Sequence, residues 1–208
     1  RTAQVRMNPA LASSLNVSRE TFERLEHYVA LLHKWNPKIN LVSRGTLQDV
    51  WERHIRDSLQ VFEAAEGLTG AWVDLGSGGG LPGLVVALAQ RPGFSVTLVE
   101  SDQRKAAFLR TVLRETGSTG TVIAERIEAT EPQSAAVLSA RALAALPQLL
   151  GFCERHLAQE GVALLPKGIT WKNEVAEAQK SFSFHCEAIK SCTQEGAVIL
   201  RIREISRV

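Results

Sequence analysis

The spacing of apolar residues divides the chain into a helical opening, a middle in which short apolar runs alternate with amphipathic stretches, and a β-rich end. Ser18 suits a helix N-cap, and Phe22, Leu25, Val29 and Leu32 then recur at helical spacing until Asn36-Pro37, which is expected to stop the helix. Residues 38–42 read as a short extended link. Thr46 with Asp49 has the form of a capping box for a second helix carrying Leu47, Val50, Trp51, Ile55, Leu59 and Phe62, closed by Gly67 and Gly70. From residue 71 the pattern changes. Trp72, Val73 and Leu75 suit a buried strand, and 84–89 starts a helix. Residues 96–99, 122–124, 137–142 and 162–165 read as further strands. Asp102 caps a helix bearing Ala107, Leu109, Val112 and Leu113, and Pro147 opens one that carries Leu149, Leu150, Phe152 and Leu157 and ends at Gly161. Residues 182–192 and 197–204 read as two late strands joined by Gln194-Glu-Gly196. Strands alternating with helices predict an α/β fold with a mostly parallel sheet.

Between the first strand and its helix lies Asp74-Leu-Gly76-Ser-Gly78-Gly-Gly80-Leu81-Pro-Gly83. Alternate glycines permit left-handed dihedrals and close approach by a ligand, and the following helix N-terminus offers unpaired N–H groups to a polar or anionic one. Gly78, Gly80 and Gly83 satisfy the dinucleotide-binding spacing, which also wants an acid about 20 residues on. Asp74, two residues before the first glycine, gives instead the D-x-G-x-G-x-G form that resembles the cofactor loop of class I S-adenosylmethionine-dependent methyltransferases. That resemblance implies that the loop backbone and Asp74 organise the amino-acid end of the cofactor. It implies further that Glu100, closing the next apolar run, takes the ribose hydroxyls, and that Ile127 offers adenine an apolar face and a backbone N–H.

A narrower resemblance runs through nearly the whole chain. Asn40-Leu41, His54-Ile55-x-Asp57-Ser58-Leu59 and the Leu81-Pro82-Gly83 ending of the glycine loop resemble the bacterial ribosomal RNA small-subunit methyltransferase G family, also called glucose-inhibited division protein B. So do Glu100-Ser101-Asp102 with Lys105 and Phe108-Leu109, Glu128, Arg141 and Pro166-Lys167-Gly168. The resemblance implies a Rossmann-like seven-stranded sheet over 71–208 preceded by a helical segment over 1–70. It implies methylation of guanine N-7 in 16S ribosomal RNA. Asp74, Gly76, Gly78, Leu81, Glu100, Ser101, Asp102, Ile127, Glu128 and Arg141 become cofactor-binding candidates. Arg141, Lys167, His54, Asp57 and Ser58 become substrate-binding or structural candidates, and no acid–base catalyst is assigned. Read without the family, Arg53 and Asp57 are an i,i+4 pair suited to a surface ion pair, and His54 shares a face with Ser58 beside Ile55 and Leu59, as a half-buried histidine in a helical seam does.

The 208 residues suffice for one good-sized domain, and 45% hydrophobic content supports a packed core. Lys and Arg total 24 against 22 Asp and Glu, and neither sign is segregated along the chain, so RNA contacts must be a local patch. Cys153, Cys186 and Cys192 lack metal spacing and suit a reducing compartment. No apolar run approaches the ~20 residues of a membrane span, so the chain is expected to be cytoplasmic, with no membrane and no metal. The family resemblance implies small-subunit ribosomal RNA or the subunit itself as partner, and a monomer is expected. Two rival functions remain: an NAD-dependent oxidoreductase, and a non-catalytic RNA-binding protein on the same fold.

Overall fold

The computed structural model describes residues 9–208; positions 1–8 of the segment expected over 1–70 lie outside the described residues. Strands β1 (Gly70–Leu75), β2 (Phe94–Val99), β3 (Thr121–Ile123), β4 (Ala135–Ser139) and β5 (Leu157–Lys167) run parallel. β7 (Val198–Arg207) is antiparallel to both β5 and β6 (Phe182–Lys190). The sheet order is β3-β2-β1-β4-β5-β7-β6, so the winding direction reverses between β1 and β4. At such a switch point the loops diverge above the strand ends and leave a crevice for ligand.

Alternation along the strands sends residues into two cores. Trp72, Val96, Leu98, Val137 and Leu164 pack under α1 (Pro9–Leu15), α2 (Arg19–Ile39), α3 (Asp57–Glu63), α4 (Gly83–Ala89) and α5 (Gln103–Thr116). Val73, Leu75, Val99, Leu138, Ala163 and Leu165 face α6 (Leu146–His156) and α7 (Trp171–Ala178). The opening helices share the first core: Phe22, Leu25, Tyr28 and Leu32 of α2 are fully buried, each side chain contributing about 1.5–3 kcal/mol. Ser18 caps α2 by accepting from Thr21 N–H, and Asp102 caps α5 by accepting from Arg104 and Lys105 N–H.

Several boundaries differ from the sequence expectations. α2 does not stop at Asn36-Pro37 but continues to Ile39. Pro37 sits in the last turn, where its missing N–H forfeits only one helical bond. Asn36 closes the end twice, its carbonyl accepting from Asn40 N–H and its side chain from Val42 N–H. Thr46 caps nothing, because its hydroxyl donates to Ser43 O and faces His54; the next segment opens as a π-helical turn, Trp51–Arg56, that leads into α3. α6 ends at His156 rather than Gly161. Gly161 lies inside β5, where a Cβ would stand 2.5 Å from Ala135 O, so it serves close strand approach and not a helix cap. β6 ends two residues early, and β7 starts one residue late and ends three late, while α1 and α7 answer to no sequence expectation.

Candidate active site

Two clefts open at the carboxyl ends of the central strands and meet at Leu41, Arg141 and Ala142. The first, about 480 Å³, is walled by the glycine loop, the end of β2 and the loop after β3. Gly76, Gly78 and Gly80 all have positive φ, the left-handed region closed to most side chains. A Cβ on Gly76 would strike Leu143, whereas one on Gly78 would meet nothing nearer than Gly76 O at 3.8 Å and would stand in the cleft.

The loop is pinned from three sides. Glu100 accepts from Gly78 N–H at 2.7 Å with one carboxylate oxygen and from Asp102 N–H at 2.8 Å with the other. From α2, the buried Tyr28 hydroxyl donates to Gly79 O at 2.7 Å. Beneath the loop, Trp72 Nε1–H donates to Ser139 Oγ, whose own hydroxyl donates to Asp74 Oδ1 at 2.6 Å. Burial raises the Asp74 carboxyl to about pKa 6, against the opposing effects of the Ser139 hydroxyl and the Arg141 charge. Its other oxygen has no hydrogen-bond partner.

The second cleft, about 590 Å³, lies between the π-helical turn, the ends of β4 and β5 and the β6–β7 turn. Arg141 borders both. Its Nη1 donates to Asp57 Oδ2 and its Nη2 to His54 Nδ1, each at 3.2 Å. A guanidinium has no acceptor, so His54 Nδ1 carries the lone pair and Nε2–H donates to Thr46 Oγ1 at 2.8 Å. Burial, then the Arg141 charge, hold His54 down at about pKa 4, neutral at physiological pH. Lys167 is also engaged: its ammonium donates to Glu174 at 2.7 Å and Ala144 O at 3.2 Å. It thereby ties the β4–α6 loop to α7.

The sequence candidates thus divide by position. Gly76, Gly78, Leu81, Glu100, Ser101, Ile127, Glu128 and Arg141 line the first cleft, and His54, Asp57, Arg141 and Lys167 the second. Asp74 and Asp102 line neither. Asp74 is buried under the loop, and Asp102 is spent as the α5 cap. Ser58 also lines neither cleft, being 1% exposed with its hydroxyl unpartnered. The three-residue step from His54 to Asp57, not the four-residue step to Ser58, faces Arg141. Asp57 accordingly pairs with Arg141 and not with Arg53 as the helical spacing suggested. Ile127 is held from behind, its carbonyl accepting from the buried His156 Nε2–H at 3.1 Å.

Sequence reasoning passed over Tyr28, Ser139, Gln60, Thr193 and Glu174. Tyr28 occupies a position on the apolar face of α2, where its ring reads as core, and the others are ordinary polar residues whose partners lie far away in sequence. Among the described residues no three His, Cys, Asp or Glu side chains are grouped to hold a metal ion, and no helix is long and apolar enough to cross a membrane.

The first cleft fits S-adenosylmethionine on its own terms. A Cβ at Gly78 would occupy space that the loop leaves to a ligand, and each Glu100 oxygen retains a lone pair for a hydroxyl. Leu81, Val99, Ile127 and Phe152 supply apolar surface for a base.

Comparison with known proteins gives the same answer. A methyltransferase from Geobacter sulfurreducens superposes with a TM-score of 0.59 at 14% identity, over 95% of this chain and 96% of that one. A ribosomal protein L11 methylase from Lactobacillus delbrueckii subsp. bulgaricus gives 0.56 at 18%, over 73% and 77%. At these identities the likeness shows the fold. The ribosomal RNA small subunit methyltransferase G of Ruegeria sp. (strain TM1040) is 56% identical over 93% of this chain and 96% of its own. That of Paracoccus denitrificans (strain Pd 1222) is 51% identical over 90% and 97%. The family model described as rRNA small subunit methyltransferase G matches residues 21–201, and the chain belongs to that family.

Proposed function

We propose that this chain transfers a methyl group from S-adenosylmethionine to N-7 of a guanine in small-subunit ribosomal RNA, with the cofactor in the first cleft and the guanine entering the second. The observation that carries the reading is charge compensation in the second cleft, up to its junction with the first at Arg141. Arg141 is paired with Asp57, Lys167 with Glu174, and His54 is held neutral. Bound S-adenosylmethionine supplies an electrophilic methyl group on a sulfonium. Guanine N-7 has an in-plane lone pair and no proton, so the nucleophile needs placement rather than a base. Transfer leaves positive charge on the purine, and an uncompensated cation beside it would oppose the reaction. Pairing Arg141 with Asp57 keeps the guanidinium donors available to orient a carbonyl or phosphate while cancelling most of that opposition. On the cofactor side, the loop amides, Glu100 and Ile127 bind and orient.

On this reading the protein works as a cytoplasmic monomer, its helical segment over 1–70 packed on a methyltransferase domain over 71–208. RNA is gripped by local cations such as the exposed Arg53 on the rim of the second cleft. The test is to incubate the protein and methyl-labelled S-adenosylmethionine separately with 30S particles, free 16S RNA and DNA, and to digest the products to nucleosides. Label in 7-methylguanosine from one of the RNA samples is expected. Label in another nucleoside, or none in any sample, overturns the reading.

A further inference from the structure

Arg141 is held through a carboxylate whose own orientation is set on the opposite wall of the second cleft. Asp57 gives Oδ2 to Arg141 and Oδ1 to two other donors, Thr193 Oγ1–H at 2.8 Å and Gln60 Nε2 at 2.8 Å. Gln60 also holds the β6–β7 turn, accepting from Cys192 N–H at 2.9 Å and lying 3.1 Å from Ser191 Oγ. Four segments, α3, the strand-four end, the π-helical turn and the β6–β7 turn, therefore converge on one carboxylate and its guanidinium. A carboxylate held at one oxygen alone can pivot about its last bond; here the donors on Oδ1 fix the plane in which Oδ2 faces Arg141. Without them Asp57 is free to turn toward water or toward Arg53, one helical turn away and exposed.

We propose that Thr193 and Gln60 are positioning residues for methyl transfer: by fixing the Asp57 carboxylate they keep Arg141 stationed between the two clefts. The inference rests on the function proposed above. It assigns a role to the β6–β7 turn, which carries no cofactor-binding motif and lies more than 130 positions from Asp57.

The test compares Thr193→Val, which removes the hydroxyl at nearly constant shape, with Thr193→Ser, which keeps it. In single-turnover assays at saturating cofactor and 30S or 16S substrate, Thr193→Val removes the charge-assisted bond to Asp57 together with the hydroxyl's contacts to Gln60 and Ser191, and is expected to slow transfer about 10-fold, with cofactor affinity within about twofold of wild type. Thr193→Ser restores the rate. Gln60→Met gives the same pattern. Because the relay acts through Arg141, Thr193→Val adds less than about twofold in an Arg141→Lys background.

A second readout needs no RNA. The charged groups facing His54 are Arg141, Asp57 and Arg53. Loosening Arg141 removes a cation from beside Nδ1, so the His54 ring, followed by NMR, titrates above its wild-type midpoint in Thr193→Val and at that midpoint in Thr193→Ser. A turn that is merely structural predicts a lower melting temperature, an unmoved His54 titration and rate losses that add to those of Arg141→Lys; that result overturns the proposal. If wild-type protein methylates no RNA, the function fails on its own account, while the His54 titration still decides whether Thr193 governs Arg141.

Discussion

The two clefts are built by different means. The first is made largely of backbone: glycines at positive φ, amides of Gly78 and Asp102 on Glu100, and a helix N-terminus, drawn from residues 74–83 and 100–102 with support from behind. The second is made of side chains from scattered places, with Thr46, His54, Asp57, Arg141, Lys167 and Thr193 meeting only in the fold. A backbone-built site must spend glycines where Cβ is not tolerated, and glycines at short fixed intervals are visible in a sequence. A side-chain site is specified by partners, and partners are not visible.

The contrast can be broken most sharply at Gly78. A valine there combines a β-branched side chain with positive φ and fills ligand space, so Gly78→Val is expected to abolish measurable S-adenosylmethionine binding in calorimetry, a loss of 100-fold or more. The His54 titration in the second cleft should be unmoved. Wild-type affinity would remove the cofactor assignment of the loop.

The converse experiment is Arg141→Lys. Lysine keeps the charge but cannot bridge Asp57 and His54 with one planar fork. Single-turnover methylation at saturating cofactor should fall by roughly 30- to 100-fold, with cofactor affinity changed only a few-fold. A near-normal rate would remove the positioning role.

Glu100→Gln has a smaller effect on function and a visible one on stability. Preserved shape alone predicts little change in melting temperature. Because both carboxylate oxygens accept backbone N–H groups, however, an amide nitrogen must face a donor at one of them. The cofactor dissociation constant is expected to rise about tenfold, and the melting temperature to drop by roughly 2–12 °C, as an unsatisfied donor of about 1–3 kcal/mol would require. Loss of stability with unchanged affinity would make Glu100 a brace alone. Tyr28→Phe sharpens the same point from α2: it deletes the bond to Gly79 O and should weaken cofactor binding about three- to fivefold. Unchanged affinity would show that the loop is rigid without it.

The smallest expected effect is on pH. With His54 neutral and no proton to remove from N-7, the wild-type chemical step should be flat between about pH 6.5 and 8.5, and a log-linear rise would expose a general base. Stability behaves differently. The folded-state pKa of His54, about 4, lies below its unfolded value of 6.5, so the unfolded chain binds the extra proton, and stability from this group is lost as pH falls through that window. Asp74, raised to about 6 from 3.8, acts in the opposite sense, its ionised form being the costly one above pH 6. His54→Gln retains a donor and an acceptor but does not titrate. Its stability relative to wild type, from urea unfolding, should therefore improve as pH drops from 6.5 toward 4, by no more than about 1.4 kcal/mol per pH unit. A constant difference would mean that His54 titrates normally.

Local chemistry by itself determined the α/β class, most strand positions, the Ser18 and Asp102 caps, and the loop from Asp74 to Gly83 with Glu100 just after the next strand, because strand alternation, caps and glycine turns are set by neighbours a few residues apart. Helix ends were less legible. Pro37 stays helical because Asn36 finds Val42, and Gly161 is a strand residue because Ala135 runs beside it. Tertiary structure alone decided that Asp74 lies beneath the loop, that Tyr28 holds Gly79, and that Asp57 faces Arg141 and Thr193 in preference to Arg53. These outcomes depend on which groups share a buried space, where an unpaired polar atom costs more than any local preference can offset, and that choice is made only when distant segments pack together.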